Sequence, residues 1–170
     1  MPVQIRPATI TDIPAIQKIA RETWPVAFGD ILSAGQIAYM LEMMYSTAAL
    51  NTQIEHKGHV FHLACEDATP IGYVSHECNY QDTNKTKIHK IYLLPHAQGK
   101  GGGAALIDAV KQIAMAKKQS ALTLNVNKYN NALGFYRRLG FDVAGEEDID
   151  IGNGFLMEDF ILDMPLAPLA

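Results

Sequence analysis

One hundred and seventy residues, 48% hydrophobic and 19% charged, suit a single globular domain over residues 1–170 with a full core. Fourteen Lys and Arg against eighteen Asp and Glu leave a formal net charge of −4, so no global basic field exists to gather nucleic acid or anionic lipid. No apolar run approaches the ~18 residues of a membrane span. The opening Met1-Pro-Val-Gln-Ile-Arg6 has no signal-peptide core, which points to a cytoplasmic protein. Cys65 and Cys78 lie in apolar surroundings without zinc or C-x-x-C spacing and read as buried, reduced thiols.

In chain order, Val3-Gln-Ile5-Arg6 alternates as a strand. Thr11 then offers an N-cap to a helix that keeps Pro14 in its first turn, where the missing N–H costs nothing. Ile13, Ile16, Ala20 and Trp24 share one face of that helix. The pattern breaks between Gly29 and Gly35 and resumes through Ile37, Leu41, Met44 and Tyr45, a region rich in Met and aromatic residues. Residues 59–65 and 71–78 read as strands joined by Asp67-Ala-Thr-Pro70, a hairpin-type turn. Gln81 to Thr86 is a polar loop, a strand covers about 87–94, and the next helix carries Leu106, Val110 and Ile113 on one side and ends in Lys117-Lys118.

A strand at Leu122 to Val126, a short helix from about Asn130 to Leu139 stopped by Gly140, and two strands around Gly152-Asn-Gly154 complete the chain. The order β-α-α-β-β-β-α-β-α-β-β implies an α/β (α+β) fold with a mixed sheet and helices on both faces. Ligands in such sheets bind at the carboxyl ends of strands where neighbours diverge.

One segment at such a strand end carries most of the chemistry. Ile91-Tyr-Leu93 closes an apolar strand, Leu94 to Ala97 turns, and Gln98-Gly-Lys-Gly101-Gly-Gly103-Ala104 opens a helix. Glycines at 99, 101, 102 and 103 remove the Cβ atoms that would keep a ligand from the backbone, and first-turn N–H groups supply donors, so the segment reads as a phosphate cradle. A nucleotide-triphosphate loop needs Ser or Thr after Gly-Lys, and Gly101 follows Lys100 instead. Gly99-x-Gly101-x-x-Ala104 satisfies a relaxed dinucleotide fingerprint, but no acidic residue stands at the tip of the next strand, Leu122 to Asn127, to hold a ribose.

Gln98-x-x-Gly101-x-Gly103 matches the Q/R-x-x-G-x-G/A signature for acetyl-coenzyme A. Together with Asn130-Asn-Ala132-Leu-Gly-Phe135-Tyr136-Arg-Arg-Leu-Gly140-Phe141, about 30 residues downstream, it resembles the GNAT N-acetyltransferase superfamily. The opening Ile5-Arg-Pro-Ala-x-x-x-Asp12 and the closing Met157-Glu-Asp-Phe-Ile-Leu162 are similar to that family too. The resemblance implies a single domain with a mixed, mostly antiparallel sheet whose strands splay at the cofactor site.

It implies acetyl-CoA as donor, with main-chain groups of Ile91, Tyr92 and Leu93 beside the pantetheine arm. Amides of Gln98, Gly99, Lys100, Gly101, Gly103 and Ala104 would hold the pyrophosphate, and Asn130 and Tyr136 would lie near the thioester sulfur. The acetyl group would enter between the strands carrying Leu93 and Val126, with a strand N–H near Leu93 facing the carbonyl oxygen.

An alkylammonium of pKa ~10 must lose its proton before it attacks, at about 4 kcal/mol at pH 7, so a base or water chain is needed. The phenol of Tyr136 would protonate the leaving thiolate. Many members of the family place a glutamate base eleven residues before the Gln98 position, where this chain has Lys87. His89, on the same strand face, is the leading base candidate, with Glu77 on a neighbouring strand as its competitor. Asn130 also stands two residues before Ala132 where the family more often has three, and Gly102 replaces an aliphatic residue.

His56, His59 and His62 do not read as a metal cluster, because residues 59 and 62 face opposite sides of a strand. Trp24, Phe28, Tyr39 and Tyr45 read chiefly as core. The activity expected is acetyl transfer to a primary amine, of a small molecule such as a polyamine, by direct attack in a ternary complex. The alternatives are a non-catalytic acyl-CoA sensor, a protein N-terminal or lysine acetyltransferase, and a nicotinamide-dependent reductase using the relaxed fingerprint. Expected partners are acetyl-CoA and the amine, with neither nucleic acid nor membrane, and a homodimer through an exposed last strand is conceivable.

Overall fold

The computed structural model describes residues 2–167, so Met1 of the opening hexapeptide and the last three residues lie outside it. Among the described residues five α-helices and seven strands form, the strands in one mixed sheet. The chain divides into two compact units, residues 2–77 with 90–110 and residues 78–89 with 111–167.

In the first unit β1 (Gln4–Pro7) pairs antiparallel with β2 (Val60–Glu66), and β2 with β3 (Thr69–Glu77). The β2–β3 turn is two residues long because Asp67 and Ala68 both take positive φ, at 47° and 68°, the backbone a tight hairpin requires. Helix α1 (Ile13–Phe28) starts later than Thr11 would place it. A 3₁₀ turn over Ile10–Asp12 precedes it, so Asp12 and not Thr11 stands at the N-cap position; its carboxylate closes the 3₁₀ turn, accepting the Thr9 N–H at 2.9 Å and pairing with Arg6 at 2.9 Å, and makes no cap hydrogen bond to α1. Ile13, Ile16, Ala20 and Trp24 are all buried, as their common face requires.

The second helical region is two helices. Ser46 takes extended ψ of 156° and ends α2 (Ala34–Tyr45), while its hydroxyl accepts the Ala49 N–H of α3 (Thr47–Glu55). A serine that caps its own successor breaks a helix without Gly or Pro, which periodicity cannot register. Trp24, Phe28 and Tyr45 are core as expected, whereas Tyr39 is half-buried.

β4 (Lys85–Leu93) contributes its first part to the second unit and its last part to the first. Lys85, Lys87 and His89 are half-buried on one side of it, and Thr86, Ile88 and Lys90 are buried on the other. In the first unit its end lies close over β3. A Cβ on Gly72 would stand 2.5 Å from Leu93 Cδ2 and 2.7 Å from the Tyr92 carbonyl oxygen. Because a main-chain oxygen cannot swing aside, Gly72→Ala is expected to destabilise the fold by about 2 kcal/mol, read as a shift in the urea midpoint at constant m. An unchanged midpoint would mean that β3 and β4 separate freely here.

Helix α4 (Gly102–Ala116) follows, with Leu106 and Val110 buried and Lys118 left-handed just past its end. In the second unit the first part of β4 pairs in parallel with β5 (Ala121–Asn127), from Lys85 opposite Ala121 to Ile88 opposite Leu124. Helix α5 (Leu133–Leu139) ends at Gly140, whose φ of 111° suits glycine alone. β6 (Asp142–Gly152) and β7 (Phe155–Pro165) form a hairpin whose turn uses positive φ at Asn153 and Gly154.

β7 pairs with β5 on one side and β6 on the other, giving the order β1-β2-β3-β4-β5-β7-β6. The last strand is therefore interior and β6 is the edge, which corrects the expectation that the last strand is exposed. Glu146, Glu147, Asp148 and Asp150 line that edge strand, and like charges oppose pairing with a second copy. Among the described residues, no helix is long and apolar enough to cross a membrane.

Candidate active site

In the first unit the strand end, turn and helix start at 91–105 form one continuous cradle. The Leu94 N–H donates to the Ile71 carbonyl at 2.8 Å, anchoring the strand end, and Pro95–Ala97 make a 3₁₀ turn with Ala97 buried. Gln98, Gly99, Lys100 and Gly101 are exposed, while Gly102 and Gly103 sink toward the core. The Gln98 side chain donates from Nε2 to the Leu93 carbonyl at 3.3 Å, tying the loop back to the strand.

Gly99 and Gly101 take φ of +81° and +85°, and a Cβ on either would enter open space. Side chains there are thus excluded by backbone conformation and not by protein packing, as expected of a loop shaped around something external. At Gly102 packing decides: a Cβ would sit 3.1 Å from Leu93 Cδ2, so the missing aliphatic side chain lets the helix start lie tightly on the strand. The first helical bond runs from Ala105 N–H to Gly101 O at 3.0 Å, and the N–H groups of Gly102, Gly103 and Ala104 precede it. Bare amides, an open approach and a helix start together fit a diphosphate.

Tyr92 turns its ring inward against Trp24 (5.7 Å), Tyr73 (5.9 Å) and Phe28 (6.4 Å). Below this layer the hydroxyls of Tyr45 and Tyr73 share a 2.7 Å hydrogen bond, and burial pushes both phenols up. His59, just before β2, has its Nε2 3.6 Å from Glu77 Oε1, and His62 within β2 stacks on His76 at 5.9 Å, so the two histidines serve different neighbours. Cys65 is buried and Cys78 half-buried, both as thiols.

In the second unit, Tyr136 is 8% exposed and packs against Phe135 (5.2 Å) and Phe141 (5.8 Å). Burial pushes its phenol up, so it keeps its proton at neutral pH. Asn130 lies before α5, not inside it, and its Oδ1 accepts the Ala132 N–H at 2.8 Å in an Asx turn. That bond leaves its amide N–H groups for a ligand. His89 lies on the Lys87 face of β4, with the Tyr80 ring edge-on at 5.5 Å.

Lys87 has a role that residue spacing alone does not reveal. Its ammonium donates to Asn125 Oδ1 and lies over the Tyr80 ring at 5.3 Å. Burial pushes its pKa down, against the pull of Glu147, Asp159 and Asp163. Asn125 in turn donates to Asp159 Oδ2 at 3.2 Å and Glu147 Oε2 at 3.4 Å. Burial pushes the Asp159 carboxyl up. Cross-strand register on β5, β6 and β7 assembles this group, which is why it is missing from the reading of the sequence.

Comparison with known proteins gives this architecture a family. The model for the acetyltransferase (GNAT) domain matches residues 31–157. A spermidine N(1)-acetyltransferase of Thermoplasma acidophilum is 29% identical over 163 residues, covering 93% of this chain and 97% of the relative. The crystal structure of the PaiA N-acetyltransferase of Thermoplasma acidophilum in complex with coenzyme A superposes with a TM-score of 0.81 at 27% identity, over 97% of this chain and 99% of that one. A peptidyl-lysine N-acetyltransferase, YjaB of Salmonella typhimurium, is 34% identical over 61 residues, 35% of this chain and 39% of its own. The chain belongs to the GNAT acetyltransferase family, and with it to the acyltransferases that use acetyl-CoA as acetyl donor.

Proposed function

We propose that residues 1–170 form one cytoplasmic N-acetyltransferase domain that moves an acetyl group to a primary amine of a small molecule, a polyamine, by direct attack in a ternary complex. The observation that carries the reading is the cradle at Gln98–Ala104, where left-handed glycines open onto free space ahead of α4. The relative named for spermidine acetylation, similar over nearly the full length of both chains, supports a polyamine as acceptor. Bound acetyl-CoA supplies an activated thioester carbonyl.

The protein's own groups divide the remaining work. Main-chain groups of Ile91, Tyr92 and Leu93 align the pantetheine arm, and the amides of Gln98, Gly99, Lys100, Gly101, Gly103 and Ala104 hold the diphosphate. Asn130 orients the end of the arm through its free amide N–H groups. His89 takes the proton from the ammonium, directly or through water, and Tyr136 returns a proton to the departing sulfur. A phenol is already protonated at neutral pH and burial holds this one so, which leaves the proton available while the full negative charge that builds on the departing sulfur provides the drive for its transfer.

Release of free thiol from acetyl-CoA, measured with spermidine, short alkylamines and a lysine peptide, tests the activity. Spermidine is expected to be preferred, and thiol release no faster than in buffer with every amine would overturn the reading. Tyr136→Phe is expected to lower kcat about a hundredfold, the usual scale of one general acid, with little change in coenzyme A affinity. Wild-type turnover in that variant would remove the acid role from Tyr136.

A further inference from the structure

We infer that one face of the β5–β7–β6 sheet receives a second ammonium group of the acceptor, with Asp159 as the specificity-determining carboxylate that selects linear di- and polycations over monoamines. This deepens the amine-acetylation reading and rests on it.

The hairpin from Asp142 to Pro165 carries eight acidic and no Lys or Arg side chains. Register sets Asp159 opposite Asn127 on β5 and opposite Glu147 on β6. Asn125, two residues from Asn127 and hence on the same face, donates to both carboxylates at 3.2 and 3.4 Å. The chain itself shows how this face holds an alkylammonium. The Lys87 amine, on its four-carbon stem, lies between the Asn125 amide and the Tyr80 ring, in the field of Glu147, Asp159 and Asp163.

Charge is left over in this group. Lys85 pairs with Asp163 at 2.7 Å and Lys87 with Asn125, so two ammonium groups stand among three carboxylates. Asp159 supplies the second, independent observation. It is 6% exposed, and its Oδ1 has no hydrogen-bond partner among the described residues although water does not reach it. A buried carboxylate oxygen without a donor is costly, and an ammonium brings three N–H donors and the missing positive charge. A monoamine spends its only nitrogen at the acetyl group and has none to place here. A di- or polyamine has a second.

Two measurements test this. In steady-state assays, Asp159→Asn is expected to lower the preference for spermidine over n-butylamine, the ratio of their kcat/KM values, about tenfold or more. Exposed Glu147→Gln carries little folding risk and is expected to lower the same ratio a few-fold. Equal losses for both amines, or an unchanged ratio in both variants, would overturn the subsite.

Calorimetric titration of spermidine into the protein with coenzyme A present gives a readout independent of turnover. Weaker spermidine binding in both variants supports the subsite even if no amine is acetylated, an outcome that would sink the acetyl-transfer reading alone. Spermidine binding as tight in Asp159→Asn and Glu147→Gln as in wild type overturns the subsite, whatever the turnover.

Discussion

Gly101→Val is expected to weaken coenzyme A binding about a hundredfold, some 3 kcal/mol, while the protein stays folded. Gly101 holds φ of +85° in an exposed loop, and a Cβ there meets no protein atom. A β-branched residue in that region costs on the order of 1–3 kcal/mol, so the loop relaxes to negative φ and rotates the following amides away from the diphosphate. The new side chain also projects into the space that a ligand would use.

Gly101→Ala adds the strain with less bulk and is expected to weaken binding about tenfold. Calorimetric titration with coenzyme A measures both, and thermal unfolding without ligand checks that the fold is intact. Wild-type affinity in Gly101→Val would show that the cradle does not hold the diphosphate.

The second large effect concerns Lys90, which is 5% exposed and lies next to the cradle strand residues. Its ammonium donates to Gln53 Oε1 at 2.9 Å and lies over the rings of Tyr45 (5.4 Å) and Phe61 (5.9 Å). Burial, and to a lesser degree repulsion by Lys57, pushes its pKa down from 10.5 to about 8. Below pH 8 the folded and unfolded chains both carry the charge, and folding bears a desolvation cost of about 3 kcal/mol.

Between pH 8 and 10.5 the unfolded chain binds more protons than the folded one, so this contribution makes stability rise with pH. Lys90→Met keeps the stem and removes the charge. It is expected to stabilise the protein at pH 7 by about 1–2 kcal/mol, less than the full cost because Gln53 Oε1 loses its donor. It is also expected to abolish the rise between pH 8 and 10.5. Urea unfolding of both proteins across that range decides the matter, and parallel pH profiles would show that Lys90 is not the titrating group.

How far the chain could be read without coordinates depended on how far apart the interacting residues lie in sequence. Helix α1 was legible from Ile13, Ile16, Ala20 and Trp24, and the β6–β7 turn from Gly152-Asn-Gly154, because both signals are local. The cradle was legible for the same reason: strand end, turn and helix start are consecutive, and glycine reports directly on backbone conformation.

Local signals also misled. Thr11 looked like the cap, but Asp12 holds that position because a 3₁₀ turn, closed by the Asp12 carboxylate on the Thr9 N–H and on Arg6, comes first. Ser46 ended one helix and began another, with no break in hydrophobic pattern to announce it.

The amino-acid sequence by itself determined the family, the alternation of strands and helices and the glycine cradle, since each depends on residues close along the chain. Only the tertiary structure decided that β7 is interior and β6 the edge, that buried Lys90 donates to the neutral amide of Gln53, and that Lys87, Asn125, Glu147 and Asp159 meet on one face. Strand order and register bring together positions tens of residues apart, and spacing along the chain does not encode which strand becomes the neighbour of which.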